Sequence, residues 1–387
     1  MFQYELCPEL SERNEYMIIK MILTNSFDPD PRVYKEAKTL ADSGHDIEIL
    51  AWDRENKNLN KAHEEMDGIK IRRFFANAEF GTGIKQMKGF IDFIKQVKKY
   101  INTCSYEFLH CHDFDGLIIG YFIKLFNSRV KLIYDEHDLF YLYFEGRKGY
   151  LNKFIAKVIK IVEKIMLNKV DHHIVVTPNM KLLYEKKTNP IVITNAPLRS
   201  SFKNTRKLER EKIVVGFIGA VRYIEELKVL ADVASEFPAI SIFIAGRGTK
   251  LNEFIKYIED KAYNNIEIFG EYNISQLEDL YSRIDITYLV YPVKDSLISL
   301  PNKFFESIIT KTPMIAYSNS EFGDIIENKN FGWCVEADNL ELNLRNIFSS
   351  IVSNDTILEK VRNNMNSESS NYLWESNVDK LLRIYES

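Results

Sequence analysis

The sequence predicts an α/β protein made of two doubly wound, parallel-sheet halves. Three observations lead there. The chain has 387 residues, more than one ordinary core holds. Short apolar runs of strand length alternate with stretches of helical length on both sides of residue 200. Between the two series lies one segment, 193–212 (ITNAPLRSSFKNTRKLEREK), whose Pro197, Ser200, Ser201 and dense charge mark a linker.

The elements follow in order. MIIKMILTN from Met17, then RVYKEAKTLADSG, then HDIEILAW read as strand, loop, helix, glycine stop and second strand. IKIRRFF (69–75), FLHCH (108–112), KLIYDEH (131–137) and HHIVVTP (172–178) continue as strands, with helices over 84–101, 115–126 and 147–168. After the linker, strands are expected at 212–221, 240–248, 265–272, 285–292 and 313–318, and helices at 224–236, 249–262, 275–282, 301–311 and 323–328. The expected domains are 1–198, 199–371 and a closing helix, 372–387, packing toward the first domain. Open sheets of this kind bind ligands at the carboxyl ends of their strands, so chemistry is sought in strand-to-helix loops facing a central cleft.

Composition narrows the function classes. The net charge is −4, which argues against an overall electrostatic grip on nucleic acid. Residues 1–200 carry 30 basic groups against 27 acidic ones, and residues 201–387 carry 21 against 28, so the first half is the more basic. Cys7, Cys104, Cys111 and Cys334 form no C-x-x-C pair, so neither a disulfide framework nor structural zinc is expected. The N-terminal stretch is acidic, and no run of 18 apolar residues occurs, so secretion and membrane spanning are not expected and a cytoplasmic location is.

The strongest local signal is DSLISLPNKFFESIITKTPMIA (295–316). Pro301 near a helix start, after Ser299 as a possible cap, would present the free N–H groups of Asn302 and Lys303 and the positive end of a helix to a diphosphate. Glu306 shares their helical face and would suit the two hydroxyls of a ribose. A solvated amphipathic helix with a surface glutamate is the plainer reading of the same spacing.

This segment resembles the nucleotide-sugar motif of the retaining glycosyltransferases of family 4 (glycosyl transferases group 1). DPDPRVYKEAKTLADSGHDIEIL, FLHCHD and YDEHDLF resemble that family's first domain, and FIGAVRYIEELKVL, IFIAGRG and IFGEYNISQLEDLYSRIDITYLVYP its second, over about residues 17–385. The resemblance implies the GT-B fold, two Rossmann-like domains facing a cleft, the first binding acceptor and the second donor. It implies transfer of a sugar from a nucleotide diphosphate sugar, UDP- or GDP-linked, with retained configuration and no required metal or other cofactor. Acceptors would be saccharides or lipid-linked saccharides, in surface polysaccharide or glycolipid assembly at the inner face of a membrane.

Site residues carry over position by position. His137, Arg222 and Lys228 take catalytic roles, the two cations stabilising the leaving diphosphate. Gly219, Gly246, Tyr272, Leu300, Asn302, Lys303 and Glu306 bind donor; Asp30, Arg32, His112 and Asp113 face acceptor. The sequence departs from the family where the first of two glutamates eight apart falls on Ile298, where TNSFDPDPR lacks a glycine-rich loop, and where Ala220 follows Gly219. A sugar-nucleotide epimerase or hydrolase of the same fold, or a non-catalytic nucleotide-sugar or glycan binder, are the alternatives.

Three further patterns carry weaker signals. His110 and His112 share a strand face, and His137 stands among acids, but neither cluster has a recognised metal spacing. The pairs Asp28–Asp30 and Asp113–Asp115 resemble the cation-holding acids of metal-dependent transferases, whose single-domain fold leaves the second strand series unexplained. In the helix 84–101, Met87, Ile91, Ile94 and Ile101 form an apolar stripe beside Lys85, Lys88, Lys95, Lys98 and Lys99, and 147–169 carries seven basic residues. An ordinary core-packed helix with a solvated basic face, or a contact with anionic membrane, fits either.

Overall fold

The structure, a computed structural model, describes residues 16–78, 84–202, 208, 210–292, 296–354 and 356–386. Cys7 with the acidic N-terminal stretch, the middle of the expected linker (203–207) and the side chain of Lys85 lie outside the described residues. The chain divides into two units. Unit 1 runs to Ile193 and takes back Val378–Ser387; unit 2 is Thr194–Asn377. The first crossing therefore falls at 193/194, before the expected 198/199, and the return at 378, after the expected 372. Asn377 explains both positions, because its side chain bonds the backbone N–H and C=O of Thr194 at 3.3 and 3.4 Å and closes unit 2 on itself.

Among its described residues, unit 1 holds an eight-stranded sheet of order β3-β4-β2-β1-β5-β6-β7-β8. The strands are β1 Ile18–Leu23, β2 Asp46–Trp52, β3 His63–Met66, β4 Ile69–Phe74, β5 Phe108–His112, β6 Lys131–Glu136, β7 His172–Val175 and β8 Ile191–Val192. All pairs are parallel except β3 with β4. The buried-through pattern of β1, β2, β5 and β6 is what a sheet covered on both faces requires. Its helices are α1 Pro31–Asp42, α2 Ile84–Ile101, α3 Asp113–Phe126, α4 Leu142–Glu145, α5 Tyr150–Met166 and α6 Pro178–Tyr184. On α2 the inward row is Phe93, Val97 and Ile101, whereas Met87 and Ile91 are exposed, so the expected stripe is rotated. The cause is Phe93, which stacks on Trp52 at 5.4 Å and fixes the helix face.

Among its described residues, unit 2 holds a parallel six-stranded sheet of order β11-β10-β9-β12-β13-β14. Its strands are β9 Ile213–Ile218, β10 Ile240–Ala245, β11 Ile266–Gly270, β12 Ile286–Leu289, β13 Met314–Tyr317 and β14 Gly332–Val335. Between and after them run α7 Glu225–Ser235, α8 Leu251–Asp260, α9 Leu277–Ser282, α10 Asn302–Ile309, α11 Glu321–Lys329, α12 Leu340–Ser353 and α13 Thr356–Glu368. The last helix, α14 Val378–Tyr385, belongs to unit 1, where the buried Tyr385 ring lies 4.9 Å from Phe108.

Candidate active site

In unit 2 the chemistry gathers where β9, β10 and β11 end. Gly219 follows β9 at φ +136° and Gly246 follows β10 at φ +141°, a region that disfavours any residue with a Cβ. Their backbones are laced together: Gly219 N–H donates to Ala245 O at 2.7 Å, and Gly246 N–H to Gly270 O at 2.6 Å. A Cβ on Gly246 would overlap the carbonyl of Gly219, so the two strand ends touch because both residues are glycine.

Lys303 reaches this corner from α10. Its Nζ donates to Tyr291 Oη at 2.8 Å and lies 5.0 Å from the Phe217 ring, pressed over Gly219. The helix forms here because Phe304, Phe305 and Ile308 bury one face, while Ser307 Oγ bonds Thr287 Oγ1 at 2.8 Å and ties it to β12. That packing leaves Asn302, Lys303 and Glu306 on the other face. Pro301, extended at ψ 151°, is the cap residue and no side chain caps the helix; Ser299 is too far back to do so. The first N–H groups of α10 are therefore left for water or a ligand.

Glu306 sits one turn beyond Lys303. Its Oε2 accepts from Tyr281 Oη at 2.9 Å, and burial raises its pKa against the pull of Tyr281 and Lys303. Tyr272 is close enough for Glu306 and Tyr291 to add to the burial that pushes its hydroxyl up to about 12. Leu300 packs partly buried on the Phe304–Phe305 cluster, and Asn302 Oδ1 accepts from Asn195 Nδ2 at 3.2 Å. Gly219, Gly246, Tyr272, Leu300, Asn302, Lys303 and Glu306 thus lie around one helix start. Tyr281 and Tyr291 join them. No local pattern marked these two, because their partners, Glu306 and Lys303, lie 25 and 12 residues further on, in α10.

One of the two expected phosphate cations, Lys228, stands away from this corner. Arg222 is exposed in the loop after β9. Lys228 is a correction: on α7 its Nζ pairs with Glu225 at 3.0 Å and stands 5.3 Å over Tyr257, on the α7–α8 side of the unit. Lys303 brings a cation against Gly219 at the strand ends.

In unit 1 the sequence-marked histidines build a buried charge network. Arg32 donates to both oxygens of Asp135, at 2.7 and 2.9 Å, and to Ile193 O at 2.9 Å, and approaches Glu36 Oε1 to 3.0 Å. It is 3% exposed, so it is an interior ion-pair residue and not an acceptor-side loop residue. Asp30 is likewise engaged: its carboxylate caps α1 by accepting from the N–H groups of Arg32 and Val33.

His112 needs the same correction. It is fully buried, its Nδ1 lies 3.2 Å from Asp135, and burial lowers its pKa. His110, also buried, bonds Tyr385 Oη at 2.7 Å. His137 differs, with 18% of its side chain exposed. Its Nε2 donates to Asp135 Oδ2 at 2.7 Å, its Nδ1 faces Asp113 Oδ2 at 3.4 Å, and its own N–H donates to Asp113 Oδ1 at 3.3 Å. Burial alone would lower the pKa, but Asp113 and Asp135 together hold it up at about 10, so the ring is cationic at neutral pH. Asp113, φ +59°, is a non-glycine residue in the left-handed region at the end of β5. Asp115 is pushed up to about 6 by burial and by Asp113, opposite to what a cation-holding pair wants.

Among the described residues, Glu36, His110, His112 and Asp135 offer ligand atoms within 4.8 Å of one another. The guanidinium of Arg32 already spans both oxygens of Asp135 and stands against Glu36, which makes this a salt-bridge network. Burial, then Asp135, raises Glu36 to about 8, opposed by Arg32.

Comparisons with known proteins fit this geometry. Residues 32–195 match the family described as Glycosyltransferase Family 4, and residues 212–351 match Glycosyl transferases group 1. The chain belongs to the family 4, group 1 glycosyltransferases. Its fold is GT-B. Sucrose-phosphate synthase from Thermosynechococcus elongatus superposes with a TM-score of 0.77 at 14% identity, covering 95% of this chain and 98% of that one. Anabaena HepE, solved with UDP and glucose, gives 0.71 at 14% identity, covering 96% and 99%. Chitobiosyldiphosphodolichol beta-mannosyltransferase of Debaryomyces hansenii is 21% identical over 300 residues, 67% of this chain. The chain spans 63% of the length of that relative.

Proposed function

We propose that this glycosyltransferase moves a sugar from a nucleotide diphosphate sugar, UDP- or GDP-linked, to a saccharide or lipid-linked saccharide, with retention of configuration. The observation that carries the reading is Lys303 Nζ seated over Gly219 at the start of α10, with Glu306 one turn on. A diphosphate there meets an ammonium, two free N–H groups and a helix dipole. The free oxygen of Glu306 faces a ribose, while Tyr281 holds the other. As the bond to the sugar breaks, charge grows on the leaving phosphate, and Lys303 is placed to stabilise it, with Arg222 free in the neighbouring loop to join. No metal is needed for that step, because the positive charge comes from the chain. His137, an imidazolium held between Asp113 and Asp135, would serve the acceptor side as a fixed positive charge, since those two carboxylates face its two ring N–H groups.

The setting we favour is surface polysaccharide or glycolipid assembly, with peripheral attachment to the inner face of an anionic membrane. No helix among the described residues is long and apolar enough to cross one. A screen of UDP-, GDP- and ADP-sugars for thermal stabilisation tests the donor assignment. One class should raise the melting temperature by several degrees in wild type and not in Glu306→Ala. Equal stabilisation of both proteins removes Glu306 from the donor site.

A further inference from the structure

Helix α5 is turned the wrong way for a helix of an ordinary core. Leu151, Phe154, Val158, Ile161 and Ile165 recur at three- and four-residue intervals, and so share one face. They are 71, 64, 41, 51 and 52% exposed. The face that packs inward is instead built on Ala156, Glu163 and Met166. At about 100° per residue, Lys153, Lys157, Lys160 and Lys164 fall into a row between these two faces.

The C-terminal half of that row, Lys160 and Lys164, borders a cavity of about 650 Å³ between α5 and the end of α6 with the residues that follow it. Lys160, Lys164, Lys186 and Lys187 rim it, and Tyr141, Tyr184, Leu167 and Leu183 line it. Lys160 is partly neutralised by Glu145 at 3.1 Å, and Lys187 donates to Asn168 at 2.5 Å. Lys164 and Lys186 make no ion pair or hydrogen bond among the described residues. The one acid in the wall, Glu163, is pushed up to about 7 by burial and by Glu136, so at neutral pH it offers a rim anion less repulsion than an ordinary carboxylate.

We infer that this face docks on an anionic phospholipid leaflet, the cavity receiving a lipid phosphate headgroup and the exposed row of α5 entering the acyl boundary. Charge complementarity selects the occupant. An uncharged apolar partner would leave four lysines around the cavity unanswered, and a soluble anion would leave the exposed row of α5 in water. The inference deepens the proposed membrane setting and does not depend on the donor site in unit 2.

The test is flotation of the full chain with vesicles of 70:30 phosphatidylcholine:phosphatidylglycerol and of phosphatidylcholine alone. Wild type should partition at least tenfold better onto the anionic vesicles. Each surface lysine contributes on the order of fivefold, so Lys164→Glu with Lys186→Glu should cut anionic binding by ~20-fold or more. Phe154→Ser with Ile161→Ser should reduce binding to both vesicles. The control Lys212→Glu with Lys256→Glu, two exposed positions in unit 2, should change little. Equal partition of wild type onto both vesicles, or a control that loses as much as the cavity pair, overturns the inference. UDP- or GDP-sugar binding by the same variants separates the two readings: lost flotation with intact donor binding is a lipid-face defect, and the reverse pattern indicts the donor site alone.

Discussion

The ammonium of Lys303 occupies the space that a side chain on Gly219 would need: a Cβ built on Gly219 falls 2.5 Å from Lys303 Nζ. The pair fixes where positive charge stands relative to the end of β9. Gly219→Ala forces the lysine outward and places an alanine at φ +136°, so it should cost about 1–3 kcal/mol of stability and weaken donor binding by about tenfold or more. Urea unfolding and calorimetry with the donor measure the two effects. Full donor affinity in a folded Gly219→Ala protein would remove Lys303 from the diphosphate site.

Tyr281 and Glu306 make the second prediction. The phenol opposes the burial that raises the Glu306 carboxyl, and the proposed ribose contact needs the carboxylate. Donor affinity should therefore increase as pH rises through the Glu306 pKa. Tyr281→Phe should move that midpoint to higher pH, and Glu306→Gln should flatten the profile while costing about tenfold in affinity. Calorimetric titrations from pH 5 to 8 read both outcomes; an unshifted midpoint in Tyr281→Phe counts against the coupling.

Both sheets were legible because parallel strands buried on two faces leave short apolar runs, unbroken in IVVGFI and interrupted only by Lys20 in IKMIL. The hairpin strand β3 was not, since HEEM carries no apolar run and its exposed edge needs none. Strand β14 and helices α12 and α13 were also missed: β14 packs only partly buried, α13 buries only Leu358 and Met365, and α12 was passed over although Leu340, Leu344, Ile347, Phe348 and Ile351 recur at helical spacing. Around α10 the site was readable because Asn302, Lys303 and Glu306 are neighbours on one helix. Lys228 was misread because its ammonium is captured by Glu225 beside it and Tyr257 on α8, and Arg32 because its partner Asp135 lies 103 residues away. Contacts made across the sheet leave no local trace.

The buried bidentate pair of Arg32 and Asp135 gives a stability prediction. Asp135→Asn strands the guanidinium and removes a partner of His137, so a loss of about 3–5 kcal/mol is expected. Arg32→Lys should lose nearly as much, because an ammonium cannot span both oxygens. Guanidinium chloride unfolding measures both. A loss below about 1 kcal/mol in Asp135→Asn would show that the network relaxes around the change.

Stability should also depend on pH in a direction set by buried groups held above their ordinary range, His137, Glu36, Glu136 and Glu163. His137 titrates near 10 in the folded chain against 6.5 unfolded, so what its cation contributes is complete below about pH 6.5 and is lost as pH rises toward 10. Glu36, raised to about 8 from 4.5, holds its proton more tightly when folded, and its contribution likewise declines between about 4.5 and 8. Asp135 works the other way, held well below 3.8 by Arg32 and His137, so its contribution is present above 3.8 and fails only in strong acid. With native protons outnumbering unfolded ones at these sites, stability falls as pH climbs. The melting temperature should therefore decrease steadily from pH 6.5 to 10. Glu36→Gln should make the part of the curve below pH 8 shallower without levelling it, because Glu136, raised to about 8, Glu163, raised to about 7, and His137 still hold protons there, and should leave the part above pH 8, which belongs to His137. A melting temperature that rises over this range would mean that His137 is neutral in the folded chain and that Asp113 and Asp135 do not hold it charged.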